Sequence, residues 1–490
     1  MKELINKYFK YILLAALIYM PIFGHLDTLP FRIWDEARRA MNAFEMLNNG
    51  NFLVTYFEGK PDMWGTKPPL LIWIQVLFMK LIGVNELAVR LPSAFAAFFT
   101  CITILIFSLR YIKQFWFGFI AILVLITAQG YISEHGTRTG DYDALLTLFT
   151  TLSGLLFFAF CETRKNKFLY FFFMFTALAV LTKSIAGLFF VPALVIYALW
   201  QRKFLLLFKN KHFYFGLFIF LVLVMGYYLL REAYNPGYIA AVQENELGGR
   251  YFKAIESHKQ GFWFYYENFI TSQWSSWYLL FPCGVVLGLL HRDDKIRRIA
   301  IFSSVMVLIF FMVISSSPTK LRWYDVPMYP FLSILIAVFV YYIFDLLRNV
   351  NWINKSLKYN ATPFIFVFLI SIAPYRKIID KTYLPEEYAW DIDFYEIGYF
   401  LRHAIKGTQN VDGYYLLLKE YNTPVKVYLK ILQDKGVDII LKDWKHLDDG
   451  DKVIAFEKEV KQYIDKHYAY EVIQKKEYVV TYKVLNRKPQ

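Results

Sequence analysis

The chain reads as a polytopic α-helical membrane protein that ends in a soluble α/β domain. Three observations predict this. Of 490 residues, 57% are hydrophobic and 20% aromatic. Most charged residues sit in short loops between long apolar runs, as in a chain that crosses a bilayer repeatedly. From Tyr375 to Gln490 the composition turns charged and Tyr-rich, with no run long enough to span.

The first span is the apolar run Tyr11–Gly24 after the basic segment Met1–Lys10. It has the form of a signal-peptide core, but no small-residue cleavage site follows and further spans do, so it reads as a retained helix. Runs at Ser93–Leu109, Phe115–Tyr131, Ala144–Phe160, Phe168–Leu181, Ile185–Trp200, Phe213–Leu230, Phe269–Leu290, Ile299–Ile314, Val326–Leu347 and Pro363–Ala373 approach spanning length, giving about eleven spans with the first. Cys101, Cys161 and Cys283 lie within apolar stretches at no metal or disulfide spacing and read as small core residues.

Charge orients the bundle. If Pro69–Ile82 does not cross, the clusters Arg110/Lys113, Arg164/Lys165/Lys167, Arg202/Lys203/Lys209/Lys211, Arg292/Lys295/Arg297/Arg298 and Arg348/Lys355/Lys358 all share the N-terminus's cytoplasmic side. Pro69–Ile82 is therefore expected to be an interfacial helix on the outer face of the cytoplasmic membrane. Residues 1–374 form the membrane domain, and the outer loops are 24–85, 133–143, a turn at Lys183, 231–268, 315–325 and everything from 375. The net charge of +14 is dispersed among these clusters and does not form the contiguous basic surface that nucleic acid needs.

In the C-terminal domain, Gly413–Leu418, Val437–Leu441, Lys452–Phe456 and Tyr478–Val484 read as strands, and Pro424–Gln433 and Lys458–Lys466 as helices.

The chemistry concentrates in the outer loops. Asp35 and Glu36 follow the first span within Trp34-Asp35-Glu36-Ala37-Arg38. Acidic residues in a first helical turn often serve only the helix dipole. A carboxylate beside a membrane interface can instead deprotonate an acceptor hydroxyl. Arg38, one turn on, either holds a phosphate oxygen or pairs with Glu36. Lys67 precedes Pro68-Pro69, whose fixed backbone aims it at the interfacial helix, although a snorkelling lysine would look the same. Residues 135–143 place Arg138, Asp141 and Asp143 in one turn beside hydrocarbon, where charge must be paired or solvated; Asp143 also reads as a helix N-cap. Arg250 and His258 precede the aromatic run 262–266, and a histidine in such a loop is more often solvated than a ligand. Lys320 and Tyr324 precede a late span.

Taken in order, these motifs resemble the polyprenyl-phosphate-dependent glycosyltransferases of the GT-C class, in the branch holding the lipid A aminoarabinose transferase and the protein O-mannosyltransferases. The resemblance runs from Trp34 to Pro330. Asp35-Glu36-Ala37-Arg38 is similar to the family's Asp-Glu-x-Arg, whose first carboxylate is its proposed catalytic residue. Lys67-Pro68 resembles the Lys-Pro whose lysine faces the donor phosphate, and Thr182-Lys183 a family Thr-Lys turn. Asp143, or Asp141 beside it, falls at the family aspartate that opens a span; Arg250, His258, Lys320 and Tyr324 keep family spacings. Thr66 stands where the aminoarabinose branch has an acidic residue that can share a metal with the loop histidine, which argues against such a metal site.

The resemblance implies inverting transfer of a sugar from a polyprenyl phosphate to a lipid, glycan or protein acceptor on the outer face. Asp35, Glu36 and Asp143 would be catalytic, and Arg38, Lys67, Arg250, Lys320 and Tyr324 would bind the donor phosphate. No cofactor is required, and no Gly-rich nucleotide loop is present in the sequence. A transporter of lipid-linked sugars would show charges at span centres and repeat symmetry. A non-catalytic scaffold would leave the Asp35 cluster without purpose.

Overall fold

The computed structural model describes residues 2–252, 258–350, 360–419 and 421–489. Its bundle comprises α1 (Lys2–Phe23), α4 (Glu86–Phe107), α5 (Phe115–Ile126), α6 (Asp143–Thr163), α7 (Lys167–Lys183), α8 (Val191–Trp200), α9 (Lys211–Tyr234), α10 (Leu280–Leu290), α11 (Asp294–Ser316), α12 (Tyr329–Arg348) and α13 (Thr362–Thr382). Between α1 and α4 lie α2 (Asp35–Asn49) and α3 (Leu70–Ile82). Among the described residues seven helices are long and apolar enough to cross a membrane, and five more apolar helices are shorter. Four of those five, all but α3, fall at expected spans, so seven plus four reproduces the expected eleven. The protein is a multi-pass membrane protein.

Helix starts follow local chemistry. Asn85 caps α4 by accepting from the Ala88 amide at 2.9 Å, and Asp293 caps α11 by accepting from that of Lys295 at 2.8 Å. Pro192 sits in the first turn of α8, where its missing N–H costs nothing. Three expected spans are shorter or broken. The run from Phe115 stops being helical at Ile126, where the Thr127 hydroxyl donates back to the Leu123 carbonyl at 2.6 Å. The run from Ile185 divides into a 3₁₀ turn, Ser184–Leu188, and α8. The run from Phe269 is a π turn, Phe269–Gln273, then an irregular stretch before α10. Cys283, expected in the core, is exposed on the outside of the bundle.

Helix α3 packs on α2 and α4, burying Leu71, Ile72, Val76 and Met79 while Leu77 and Leu81 stay exposed. At the opposite end of the bundle, Glu162 accepts from Tyr111 and Arg298, both at 3.0 Å, tying three of the basic loops together.

Helix α13 continues through Pro374 to Thr382, beyond the expected domain boundary. The chain then forms α14 (Ile392–Ile405), β3 (Tyr414–Leu417), α15 (Thr423–Asp434), β4 (Ile439–Lys442), β5 (Lys452–Ala455), α16 (Lys458–His467), β6 (Tyr468–Lys476) and β7 (Val479–Arg487), after a small hairpin of β1 (Tyr56–Phe57) and β2 (Lys60–Pro61) earlier in the chain. The sheet order is β4-β3-β5-β7-β6; β3 is parallel to β4 and β5, and β7 antiparallel to β5 and β6. Strand β6 and helix α14 were not anticipated, because β6 follows α16 without a turn signal.

This domain is not packed separately. Phe31, Met41, Phe44, Ile72 and Val76 share one hydrophobic cluster with Phe400, Leu401, Val425, Tyr428 and Leu432. Burial of side chains of this size contributes roughly 1.5–3 kcal/mol each, so the loop after α1 owes much of its order to the C-terminal domain.

Candidate active site

Asp35 opens α2 directly after Trp34, whose backbone is left-handed at φ 73°. That conformation costs a bulky residue of order 1–3 kcal/mol and persists only where the surroundings impose it. Two contacts from the C-terminal domain do so. The Trp34 indole stacks on Tyr421 at 5.1 Å, and the Tyr428 hydroxyl accepts from the Phe31 amide at 2.9 Å. The Asp35 carboxylate accepts from Arg39 at 2.9 Å and keeps 40% of its side-chain surface exposed. Despite burial, that carboxylate holds the Arg39 guanidinium above its ordinary pKa.

Glu36, expected to share in catalysis, is occupied differently. Its carboxylate is fully buried and receives Arg90 Nε at 2.7 Å, Arg90 Nη2 at 2.8 Å, the Arg32 amide at 2.8 Å and the Gly140 amide at 3.0 Å. Every lone pair is used, so Glu36 braces α2 against α4 and the 133–143 loop. Gly140 is there because a Cβ would lie 2.3 Å from Val89 Cγ1.

Arg38, expected at the donor phosphate, forms a fork with Asp62 at 2.6 and 3.1 Å. Asp62 also accepts from Asn42 and from the amides of Trp64 and Gly65, which shapes the turn leading into Thr66 and Lys67. Burial works against the charged carboxylate, but Arg38 and these donors hold Asp62 below its usual pKa.

Lys67 is buried with Nζ 3.1 Å from Glu246, which also accepts from the Thr66 hydroxyl at 3.2 Å. An acidic side chain therefore does stand beside the Lys-Pro turn, brought from about 180 residues away. Asp143 opens α6 without capping it; its carboxylate meets Lys183 Nζ at 2.5 Å, and that ammonium lies 4.7 Å from the Tyr324 ring centre. Lys67, Lys183, Asp143, Glu246 and Tyr324 line one cleft whose other wall is apolar, with Leu146, Ile185, Phe189, Phe310 and Ile314. The Tyr142 ring joins this cleft to Asp35, since Arg39 lies 4.7 Å and Lys67 5.8 Å from its centre.

Three expected residues, Lys320, His258 and Arg138, lie elsewhere. Lys320 donates to the carbonyls of Ser317 and, at 3.1 Å, of Gln260, and its amide donates to the His258 carbonyl at 3.1 Å. It ties two outer loops together, and the His258 side chain is exposed. Arg138 donates to carbonyls at the end of α1, including that of Gly24 at 2.7 Å. The Arg250 side chain lies outside the described residues.

Asp141 meets a residue of the same loop that was not among the expected site residues. His135, with a left-handed φ of 56°, stacks on Trp323 at 3.7 Å and 14°. Its Nδ1 is 3.0 Å from Asp141 Oδ2 and 3.9 Å from Asp35 Oδ2, and Asp141 also accepts from the Thr139 hydroxyl at 2.6 Å. The three donor atoms lie within 4.8 Å of one another. Arg39 sits on the other Asp35 oxygen, and Arg32 stands close by.

Residues 66–228 match the model of the dolichyl-phosphate-mannose-protein mannosyltransferase family. An uncharacterised protein of Aquifex aeolicus is 27% identical over 315 residues, which span 63% of this chain and 60% of the relative. The undecaprenyl phosphate-alpha-4-amino-4-deoxy-L-arabinose arabinosyl transferase of Shewanella sediminis is 26% identical over 62% of this chain and 54% of its own. The chain thus spans little more than half the length of these curated relatives. Among solved structures, ArnT from Cupriavidus metallidurans bound to undecaprenyl phosphate superposes with a TM-score of 0.69 at 16% identity, covering 97% of this chain and 98% of that one. An oligosaccharyltransferase from Archaeoglobus fulgidus gives 0.53 at 10% identity, covering 89% and 65%.

Proposed function

We propose that this chain, which has the fold of the GT-C glycosyltransferases, transfers a sugar from a polyprenyl phosphate to a lipid, glycan or protein acceptor at the outer face of the cytoplasmic membrane, with inversion. The observation that carries the reading is the cleft itself. Two lysines, one from the turn before α3 and one at the end of α7, stand at its polar end and six apolar side chains, Ala186 among them, line the rest, which suits a phosphate joined to an isoprenoid chain. The solved ArnT structure bound to undecaprenyl phosphate supports the same donor class.

The residues divide the work. As the bond from the sugar's anomeric carbon to the phosphate oxygen breaks, negative charge grows on the phosphate; Lys67 and Lys183 are placed to stabilise it. Their carboxylate partners, Glu246 and Asp143, hold the two ammonium groups in position before the donor arrives. Asp35, the partly exposed carboxylate beyond Tyr142, takes the proton of the acceptor hydroxyl or amine as that atom attacks the opposite face of the sugar. Glu36 and Arg38 act at one remove, by fixing α2 and the Lys67 turn.

Purified protein tests the reading. Transfer is expected with a polyprenyl phosphate sugar, and Asp35→Asn is expected to lower turnover about a hundredfold or more while leaving folding intact. Turnover with a nucleotide sugar in the absence of lipid would remove the donor assignment. A folded Asp35→Asn protein with more than about half the activity would remove the mechanism.

A further inference from the structure

We propose that His135 is a positioning residue for Asp35: held as an imidazolium between Asp35 and Asp141, it keeps two neighbouring carboxylates ionised and orients the one that meets the acceptor. The proposal rests on the reading of Asp35 as the proton acceptor.

The geometry supplies the argument. Two carboxylates whose oxygens reach the same imidazole nitrogen, at 3.9 and 3.0 Å, repel each other strongly in a partly buried site. Without a compensating charge such a pair retains one proton, as like-charged carboxyls do at short range. A protonated Asp35 could not act as a base. Arg39 offsets one charge from the far side of Asp35, at 2.9 Å, and a cation on the near side must offset the other. His135 is the titratable group in that position.

Its surroundings hold it there. The ring lies flat against Trp323, an arrangement that favours a cationic ring. The His135 amide donates to the Thr139 hydroxyl at 2.7 Å, and that hydroxyl donates onward to Asp141. A left-handed backbone at a histidine is costly and is maintained by this small network. The charged groups facing the ring are Asp141 on its own loop, Asp35 from α2, and Arg32, which is itself paired to Glu134. Burial disfavours the charged ring, and Asp141 and then Asp35 outweigh it, so His135 stays above its ordinary pKa of 6.5.

Full-length protein labelled with ¹³C and ¹⁵N at histidine gives a direct test in detergent, with His135→Asn assigning one of eight signals. His135 is expected to titrate above pH 6.5, and Asp141→Asn to lower its midpoint by about one unit or more. A ring that is neutral at pH 7, or a midpoint unmoved by Asp141→Asn, would overturn the proposal. Should His135→Asn fail to fold, Asp141→Asn alone assigns the signal as the one it moves.

The rate profile supplies the second arm. In His135→Asn the acid limb of kcat/KM for sugar transfer should move to higher pH, with more than about a tenfold loss at pH 6 and recovery to within about twofold at pH 9. Adding Asp141→Asn should bring the limb back. A loss equal at every pH means a merely structural role and sinks the idea. Because the titration is read without turnover, it can succeed even where the assignment of Asp35 fails.

Discussion

Glu36 and Arg90 form a two-bond fork, at 2.7 and 2.8 Å, that ties the first turn of α2 to α4 with no solvent access to the carboxylate. Removing either partner leaves a buried charge uncompensated. Arg90→Ala is expected to destabilise the protein by about 3–5 kcal/mol, read as a lower thermal midpoint in detergent. Glu36→Gln should lose less, since it keeps an acceptor, and should retain far more activity than Asp35→Asn. Equal activity losses in the two variants would return Glu36 to the chemistry.

Lys67 and Lys183 make separable predictions. Lys67→Ala should raise the KM for the lipid donor and lower kcat, because a phosphate contact made in the ground state and strengthened in the transition state is lost. Asp143→Asn removes the partner that holds Lys183 and should act mainly on kcat. Donor binding by a radiolabelled polyprenyl phosphate distinguishes them; unchanged binding in Lys67→Ala would displace that lysine from the phosphate.

Asp62 predicts an acid response. Its folded pKa lies below the ordinary carboxylate value, so its stabilising contribution is present above the unfolded pKa and is lost as pH falls through the folded one. Asp62→Asn should therefore be less stable than the parent at pH 7, with the gap closing below about pH 4. A gap independent of pH would mean that Arg38 contributes nothing through charge.

Tyr421 tests the reach of the C-terminal domain. Its ring supports Trp34, one residue before Asp35, and is not among the residues that line the cleft. Tyr421→Ala should reduce kcat several-fold, through a misplaced α2 start, with donor KM little changed. Full activity in this variant would show that the stack is dispensable.

Much of this was legible from composition and spacing. The apolar runs locate the spans, and Lys67, Asp143 and Tyr324, expected at the site, line one cleft with Lys183, which only the family resemblance had pointed to. What escaped was pairing over distance. Arg90 lies 54 residues from Glu36 and Glu246 lies 179 from Lys67, separations that no local pattern encodes. A lone arginine near the start of an apolar helix was the available signal for Arg90, since charge in such a place demands a partner. The partners of Arg38 and Lys320 were equally hidden: a cation near a site is as easily held by a neighbouring carboxylate or carbonyl as by a ligand. The end of the helix from Phe115 at Ile126 depends on a hydroxyl turning back on the backbone, which hydropathy does not register.

The bond between the Phe31 amide and Tyr428 also imposes an order on biosynthesis. These residues are 397 apart in the chain, and ribosomes add about 5–20 residues per second, so Phe31 waits some 20–80 s for its partner. Throughout that interval Phe31, Met41 and Phe44 lack the C-terminal neighbours, Phe400, Val425 and Tyr428 among them, that later cover them. The segment carrying Asp35 is thus made early and matures late, and a nascent chain that stalls just before Tyr428 carries every apolar run and an unfinished candidate loop.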